Sequence, residues 1–193
     1  MEDAQTHALA AIQELTKTRG IVLVAIDGRC AAGKTTLANR WGAAFGWSVA
    51  HLDDFFLRPE QRTPQRYTAP GENVDHERFL AQVLTPLRQG QTPVYQPFDC
   101  HAMALGPAVS LPVTSVVLIE GSYACHPSLW DSYDLRLFMT VDPSTQLRRI
   151  LARNGPETAR VFQDRWIPLE ERYFAAFQVE QRCDLRLELP GKP

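Results

Sequence analysis

Eight residues, 28–35, have the composition and spacing of a phosphate-binding loop: G-R-C-A-A-G-K-T. A run at residues 21–27, apolar except for Asp27, predicts a buried strand before the loop, and residues 35–41 predict an opening helix after it. Such a loop points several backbone N–H groups at one anion, and glycine permits close approach. In the pattern G-x-x-x-x-G-K-[ST], the lysine reaches the terminal phosphates and the hydroxyl binds Mg²⁺. We therefore predict a site for ATP and Mg²⁺, with a catalytic Lys34 and Thr35 as a metal ligand, formed by Gly28, Ala31, Ala32, Gly33, Lys34, Thr35 and Thr36.

Carboxylates follow three of the predicted strands. Asp53, Glu120 and Asp142 each come directly after an apolar run typical of a buried strand. In open α/β sheets, ligands bind beyond the carboxyl ends of the strands. Phosphoryl transfer needs one group that accepts the proton of the attacking hydroxyl and another that holds the metal. We predict Asp53 as the base and Glu120 as the metal carboxylate, whereas Asp142 before a proline favours a helix cap.

A long helical region, interrupted at Gly155 and Pro156, contains the five arginines Arg148, Arg149, Arg153, Arg160 and Arg165. Guanidinium groups on a mobile segment can stabilise the charge on a transferring phosphoryl group once water is excluded. We therefore predict a lid at about residues 149–165. In this lid, Arg149 and Arg153 would assist catalysis and Arg160 would contact the nucleotide.

The elements that must position these residues indicate an α/β fold. Predicted strands alternate with predicted helices, which is typical of a parallel sheet with helices on both faces. We predict a three-layer sandwich with about five parallel strands and a single domain over residues 1–193. Residues 57–73 are polar and predict a loop. Two short, proline-containing extended pieces lie near residues 92–99 and 108–113, and these favour an edge excursion rather than central strands.

Composition excludes several classes of partner. The net charge of −2 does not favour binding to nucleic acid or to an anionic membrane, both of which attract basic proteins. No apolar run approaches the length of a membrane span, and the N-terminal residues lack the apolar core of a signal peptide. The four cysteines have no metal-binding spacing and predict free thiols. We therefore expect a cytoplasmic chain whose partner is a small molecule.

Over nearly its whole length, the chain resembles the uridine kinase and phosphoribulokinase family of P-loop small-molecule kinases. The resemblance is carried by the phosphate-binding loop and by residues 52–56 (L-D-D-F-F), 73–79 (N-V-D-H-E-R-F), 97–99 (P-F-D), 119–123 (I-E-G-S-Y) and 142–149 (D-P-S-T-Q-L-R-R). It implies transfer of the γ-phosphoryl group of ATP to the primary 5′ hydroxyl of a nucleoside, most of all uridine or cytidine. Asp53 matches the residue that activates the acceptor hydroxyl in this family.

The same resemblance implies an acceptor-binding region at about residues 54–113. Asp75 matches the family's ribose contact, although Val74 stands where the family has phenylalanine. Phe98 stands where the family has an aromatic residue. His101 follows it at a shorter spacing than the histidine that contacts the pyrimidine base in the family. The substrate site implied in this way consists of Asp53, Phe56, Asp75, Phe98, His101 and Tyr123.

Other acceptors and another class of function stay open on the sequence. The D-D-F-F segment is also similar to nicotinamide riboside kinases, and pantothenate or a sugar phosphate are further candidates. A nucleoside monophosphate would need extra cations, which could come from Arg58, Arg62, Arg66 and Arg78. A non-catalytic nucleotide-binding module is the alternative of another class, but its GTPase-like form predicts an N-K-x-D motif that the sequence lacks. Family members often form dimers or tetramers, so a homo-oligomer is also open.

Overall fold

The structure is a computed structural model and describes residues 4–188. Along the chain its elements are α1 (Ala4–Thr16), β1 (Val22–Gly28), α2 (Lys34–Phe45), β2 (Ser48–His51), α3 (Pro64–Thr68), α4 (His76–Phe79), α5 (Thr85–Arg88), β3 (Val94–Tyr95), β4 (Phe98–Asp99), β5 (Ala104–Leu105), β6 (Val109–Ser110), β7 (Val116–Glu120), β8 (Leu135–Thr140), α6 (Pro143–Val161), α7 (Ile167–Phe177), α8 (Val179–Arg182) and β9 (Leu185–Glu188). Helical turns between them lie at Leu52–Phe55, Pro59–Gln61, Leu80–Leu84, Trp130–Ser132 and Phe162–Trp166. Within this part of the chain, no helix is both long and apolar enough to cross a membrane.

The five longer strands form one parallel sheet in the order β2-β7-β1-β8-β9. Every residue of β1 and of β7 is buried. Such uninterrupted burial is what a parallel strand covered on both faces requires. The predicted α/β fold with about five parallel strands is therefore confirmed.

Helices cover both faces of this sheet. Along β1, Leu23 and Ala25 belong to a core that includes side chains of α4, α5 and α7. The alternate residues Val24 and Ile26 belong to a second core, which includes side chains of α1 and α2. This alternation follows from the two-residue period of a strand and confirms the predicted three layers.

The segment between β2 and β7 leaves the main sheet. Its four short strands pair with one another, β3 with β6 and β4 with β5, both antiparallel. The prediction of a loop at residues 57–73 is wrong in part, because α3 lies there. Thr63 caps α3 by accepting a hydrogen bond from the Arg66 amide, and Pro64 occupies the first turn, so a polar stretch still begins a helix.

Two local predictions in the second half of the chain are confirmed. The Asp142 carboxylate accepts a hydrogen bond from the Thr145 amide at 2.9 Å and so caps α6. Gly155 interrupts α6 with φ 77° and ψ 171°, values that lie outside the helical region. The arginine-rich region is therefore two helical pieces joined at Gly155.

Candidate active site

A cavity of about 1190 Å³ lies beyond the carboxyl ends of the neighbouring strands β2, β7 and β1. Its wall combines the phosphate-binding loop, the turns that follow β2 and β7, and residues of α6 and of the turn after it. Glu120, at the end of β7, pairs in register with His51 on one side and Ile26 on the other. The sheet order thus brings the predicted base, metal carboxylate and phosphate loop to one place.

Of the residues predicted to bind the nucleotide, five line this cavity: Ala31, Gly33, Lys34, Thr35 and Thr36. Gly33 has φ 97° and precedes the first turn of α2, whereas Ala31 has φ 58°, an uncommon conformation for a residue with a side chain. The loop therefore leads into α2, and the N-terminus of this helix faces the cavity. Backbone N–H groups at a helix N-terminus favour binding of a polyphosphate.

Gly28 and Ala32 lie behind the loop rather than on the cavity wall. At Gly28 the φ angle is 126°, and a Cβ would lie 1.9 Å from the Met139 carbonyl oxygen. Glycine is required there because β1 and β8 approach closely. Ala32 is buried in the core against α2, so its side chain supports the loop from beneath.

Lys34, Thr35 and Glu120 form the polar floor of the site. The Lys34 ammonium donates to the carbonyl oxygens of Gly28 at 2.6 Å and Arg29 at 3.0 Å. The Thr35 hydroxyl donates to one Glu120 oxygen at 3.0 Å, and the other Glu120 oxygen is 2.6 Å from His51 Nδ1. The hydrogen bond to Glu120 raises the pKa of His51. A hydroxyl beside a buried carboxylate supplies the oxygen ligands that Mg²⁺ prefers, so these residues fit the predicted metal.

Asp53 and Asp54 occupy different surroundings although they are neighbours. Asp53 is an exposed residue on the cavity wall; the surrounding protein displaces part of its water and raises the pKa of its carboxyl, with a further contribution from the negative charge of Glu120. Asp54 accepts a hydrogen bond from the Tyr95 hydroxyl at 3.0 Å and does not line the cavity. Of the two carboxylates, Asp53 is therefore the one that faces the cavity, and its role as the base stays a prediction.

Three arginines of the predicted lid region approach the cavity in different ways. Arg149 donates to the Ala31 carbonyl oxygen at 3.0 Å, and Arg153 donates to the Asn154 side chain at 2.8 Å. Both line the cavity, as does Arg165, whose guanidinium lies 4.6 Å from the centre of the Trp166 ring.

The prediction for Arg160 needs a correction. Arg160 is exposed and does not line the cavity, and Arg165 reaches the wall in its place. The physical reason is the break at Gly155, which lies between Arg149 and Arg160 and interrupts the helical phase. Helical spacing counted from Arg149 therefore does not carry to Arg160, and Arg165 lies in the π-helical turn Phe162–Trp166 that follows.

At the other end of the cavity, Phe56 and Tyr123 line the wall together with Asn73. The Asn73 amide nitrogen donates to the Tyr123 hydroxyl at 3.2 Å. The amide oxygen of Asn73 is buried and has no hydrogen-bond partner. A buried acceptor without a partner is costly, so this oxygen is suited to a hydroxyl group of a ligand.

Asp75, Phe98 and His101, predicted to bind the acceptor, do not line the cavity. Asp75 is buried, caps α4 and forms ion pairs with Arg58 at 3.5 Å and Arg78 at 3.2 Å. Phe98 is buried with the Arg62 guanidinium 5.5 Å from its ring centre, and His101 is exposed in the turn after β4. The Asp75 carboxylate, which the sequence motif assigns to ribose binding, is therefore occupied by the helix cap and by the two arginines.

Asp27, at the end of β1, is an organising residue that the sequence analysis missed. Its buried carboxylate accepts hydrogen bonds from the amides of Gly28, Tyr123 and Cys125 and from the Tyr173 hydroxyl, at 2.6 to 3.2 Å. Burial raises the pKa of Asp27 in spite of these donors. The Asp27 carboxylate thus fixes the turn after β7. In the sequence, the position of an acidic residue inside an apolar strand could have indicated this role.

Curated kinases are similar in sequence, whereas no protein-family model matches. Uridine-cytidine kinase D of Dictyostelium discoideum is 29% identical over 136 residues, which cover 69% of this chain and 27% of the relative. Uridine-cytidine kinase 2-B of Danio rerio is 26% identical over 180 residues, which cover 82% of this chain and 67% of the relative. The chain thus corresponds to about a quarter of the first relative and to two thirds of the second.

Solved structures share the fold, two of them with TM-scores of at least 0.66. One is a possible uridine kinase from Bacillus stearothermophilus, with a TM-score of 0.67 and 19% identity, covering 94% of this chain and 100% of the other. The other is YFH7 from Saccharomyces cerevisiae, with a TM-score of 0.66 and 12% identity, covering 100% of both chains. The fold is that of a P-loop kinase. Together the comparisons confirm the predicted resemblance to uridine kinase-like P-loop kinases, and they agree with a phosphotransferase.

Proposed function

We propose that this chain transfers the γ-phosphoryl group of ATP to the primary 5′ hydroxyl of a nucleoside, with uridine and cytidine as the first candidates. The observation that carries the proposal is the position of Asp53, which opens into the cavity shared by the phosphate-binding loop and the Asn73–Tyr123 pair. A nucleotide-binding module without an acceptor would have no use for a carboxylate at that place. The relatives named as uridine-cytidine kinases support the same reading.

Each residue of the site has a role in this proposal. The loop amides and Lys34 bind the phosphates, and Thr35 with Glu120 would hold Mg²⁺, which neutralises phosphate charge. Asp53 orients the acceptor hydroxyl and takes its proton, and its raised pKa brings it nearer to the operating pH of a general base. Arginines at the wall stabilise the transferring group, so positioning and electrostatics supply most of the rate.

The charges around the acceptor end favour an uncharged acceptor over a nucleoside monophosphate. Arg58 and Arg78 are paired with Asp75, and Arg66 is paired with Glu77 at 2.7 Å. Of the four arginines considered for a phosphate on the acceptor, Arg62 lines the cavity, and its Nε donates to the Leu57 carbonyl oxygen. Of these four arginines, a phosphate on the acceptor would therefore meet one rather than a cluster.

The proposal also assigns regions and partners. Residues 1–193 would form one kinase domain, in which residues 54–113 bind the acceptor and residues 149–165 form the lid. The partner is a small hydroxyl compound, not nucleic acid or membrane, in keeping with the net charge of −2. A cytoplasmic location and a homo-oligomeric state stay predictions.

A coupled assay of ADP formation tests the acceptor. The purified chain, with ATP and Mg²⁺, is offered uridine, cytidine, nicotinamide riboside, pantothenate and the two pyrimidine monophosphates in parallel. We expect ADP formation to depend on uridine or cytidine, with a 5′-monophosphate identified by mass spectrometry. Turnover with another acceptor alone would reassign the substrate. Hydrolysis of ATP that no acceptor changes would support the module instead.

A further inference from the structure

A carboxylate from α7 reaches into the phosphate-binding loop. Glu170 is 5% exposed and lines the cavity. One of its oxygens accepts the Cys30 amide hydrogen at 3.0 Å, and the other accepts the Ser122 hydroxyl at 2.6 Å. The Ser122 oxygen is in turn 3.4 Å from the Lys34 ammonium nitrogen. Glu170 thus joins the loop after β1, the turn after β7 and the lysine of the site.

The part of the loop that Glu170 holds is the part under backbone strain. Ala31 has φ 58°, a left-handed conformation that is strained for a residue with a side chain and persists only where its neighbours hold it. Side chains hold both flanks: Glu170 binds the Cys30 amide, Gln146 donates to the Cys30 carbonyl oxygen, and Arg149 donates to the Ala31 carbonyl oxygen. Tertiary contacts therefore fix a conformation that Ala31 would not adopt alone.

Electrostatics alone would make Glu170 unfavourable at this place. A carboxylate on the wall of a cavity that takes a triphosphate repels the phosphates. Its negative charge also contributes to the raised pKa values of Asp53 and of the Cys30 thiol, the latter to about 12 with burial as the main cause. A charge in such a position needs a structural reason, and the hydrogen bonds to Cys30 and Ser122 supply one.

We propose that Glu170 is a positioning residue for nucleotide binding, because it sets the conformation of the phosphate-binding loop through the Cys30 amide and steadies Lys34 through the Ser122 hydroxyl. It acts through other residues and touches no reacting atom. The proposal rests on the proposed function only in taking the cavity as a nucleotide site.

Substitution of Glu170 separates positioning from repulsion because the two effects have opposite signs. Glu170→Ala removes a repulsive charge, so electrostatics alone predicts tighter binding of ADP with Mg²⁺. Positioning predicts weaker binding by about 10- to 100-fold, the usual effect of losing a hydrogen bond to a charged group. Glu170→Gln keeps an oxygen for the Cys30 amide and an amide group for Ser122, and should bind ADP within about fivefold of the wild type. Isothermal titration calorimetry without acceptor measures both.

The adjacent residue provides a matched control. Glu171 pairs at 2.7 Å with the side chain of Arg29, a loop residue; this pair does not line the cavity, and its hydrogen bonds are to the guanidinium rather than to a loop amide. Glu171→Gln removes the same charge one position along α7. Its ADP affinity should stay within about threefold of the wild type, as for a half-exposed ion pair. Tighter ADP binding by Glu170→Ala, or equal weakening by Glu171→Gln, would overturn the proposal. If Glu170→Ala does not fold, Glu170→Asp keeps the charge but shortens the reach, and unchanged ADP affinity in that variant would equally overturn it.

The measurement distinguishes this inference from the proposed function. A wild-type chain that binds ADP but phosphorylates no acceptor refutes the kinase activity, while the comparison of Glu170 variants stands by itself. A wild-type chain that is an active kinase, with Glu170→Ala binding ADP normally, refutes the role of Glu170 alone. A wild-type chain that binds no ADP overturns both.

Discussion

At the scale of single residues, the site depends on which of two neighbouring carboxylates faces the cavity. Asp53 does so, and its pKa is raised by restricted hydration and by Glu120. Asp54 is held by the Tyr95 hydroxyl. Two identical side chains, one position apart, therefore have different chemistry because the short helical turn Leu52–Phe55 points them in different directions.

We expect Asp53→Asn to reduce turnover of the acceptor by about 10²- to 10⁴-fold, because an amide cannot accept the proton of the attacking hydroxyl. Steady-state kinetics with the best acceptor of the panel gives the loss of turnover. Binding of ADP with Mg²⁺ should stay close to that of the wild type.

Asp54→Asn is the matched control for this prediction, since it makes the same change one residue along. Its amide oxygen can still accept the Tyr95 hydroxyl, so turnover should fall by less than about tenfold. Equal losses in the two variants would remove the distinction between Asp53 and Asp54, and normal turnover in Asp53→Asn would disprove its role as the base.

At the scale of elements, the phosphate-binding loop depends on how closely β1 approaches β8. Gly28 pairs with Met139 in the parallel register, and there is no room for a Cβ between them. The glycine that the motif associates with phosphate binding therefore also has a packing role in the sheet.

Gly28→Ala should destabilise the fold by about 3 kcal/mol or more, because the new methyl group meets backbone atoms and the φ of 126° disfavours any side chain. Urea unfolding followed by circular dichroism measures the free energy of unfolding. Gly20→Ala is the control: a Cβ there has no neighbour within 4 Å, and little change is expected. Wild-type stability in Gly28→Ala would mean that β1 and β8 lie further apart than described.

At the scale of the whole molecule, a buried histidine pair links the first residue of α4 to the turn after β7. The rings of His76 and His126 stack with centroids 4.0 Å apart, and Glu72, Glu77 and Arg66 surround the pair. Burial, reinforced by the positive charge of His76, lowers the pKa of His126 to about 4. In the folded state His126 therefore stays neutral at pH values where the histidine of the unfolded chain, with its usual pKa of about 6.5, is protonated.

Stability should consequently fall as the pH is lowered from about 6.5 to about 4, since only the unfolded state gains this proton in that range. Thermal unfolding at pH 7.5, 6 and 5 follows the effect. In the wild type, His126 Nδ1 accepts a hydrogen bond from the Ser128 amide at 3.2 Å. In His126→Asn the amide oxygen can accept this hydrogen bond, but the side chain cannot titrate. Its pH dependence should be smaller than that of the wild type, whereas the exposed His101→Asn should leave it unchanged. An identical pH dependence in His126→Asn would rule out this contribution.

Features that depend on neighbours in sequence could be predicted from the sequence alone. The spacing of Gly33, Lys34 and Thr35 between a strand and a helix indicates a nucleotide site, since backbone geometry within a few residues creates it. The Asp142 cap and the break at Gly155 are local in the same sense. Apolar runs predicted the parallel sheet, because strands buried on both faces have no polar side.

Only the tertiary structure decided which distant groups meet. The sheet order brings Asp53 and Glu120 beside the phosphate-binding loop, and packing turns Asp75 to Arg58 and Arg78 instead of the cavity. Glu170 contacts an amide 140 residues away in the sequence. Spacing along the chain does not encode such pairs, because side-chain directions and long-range partners follow from how helices and strands pack against one another.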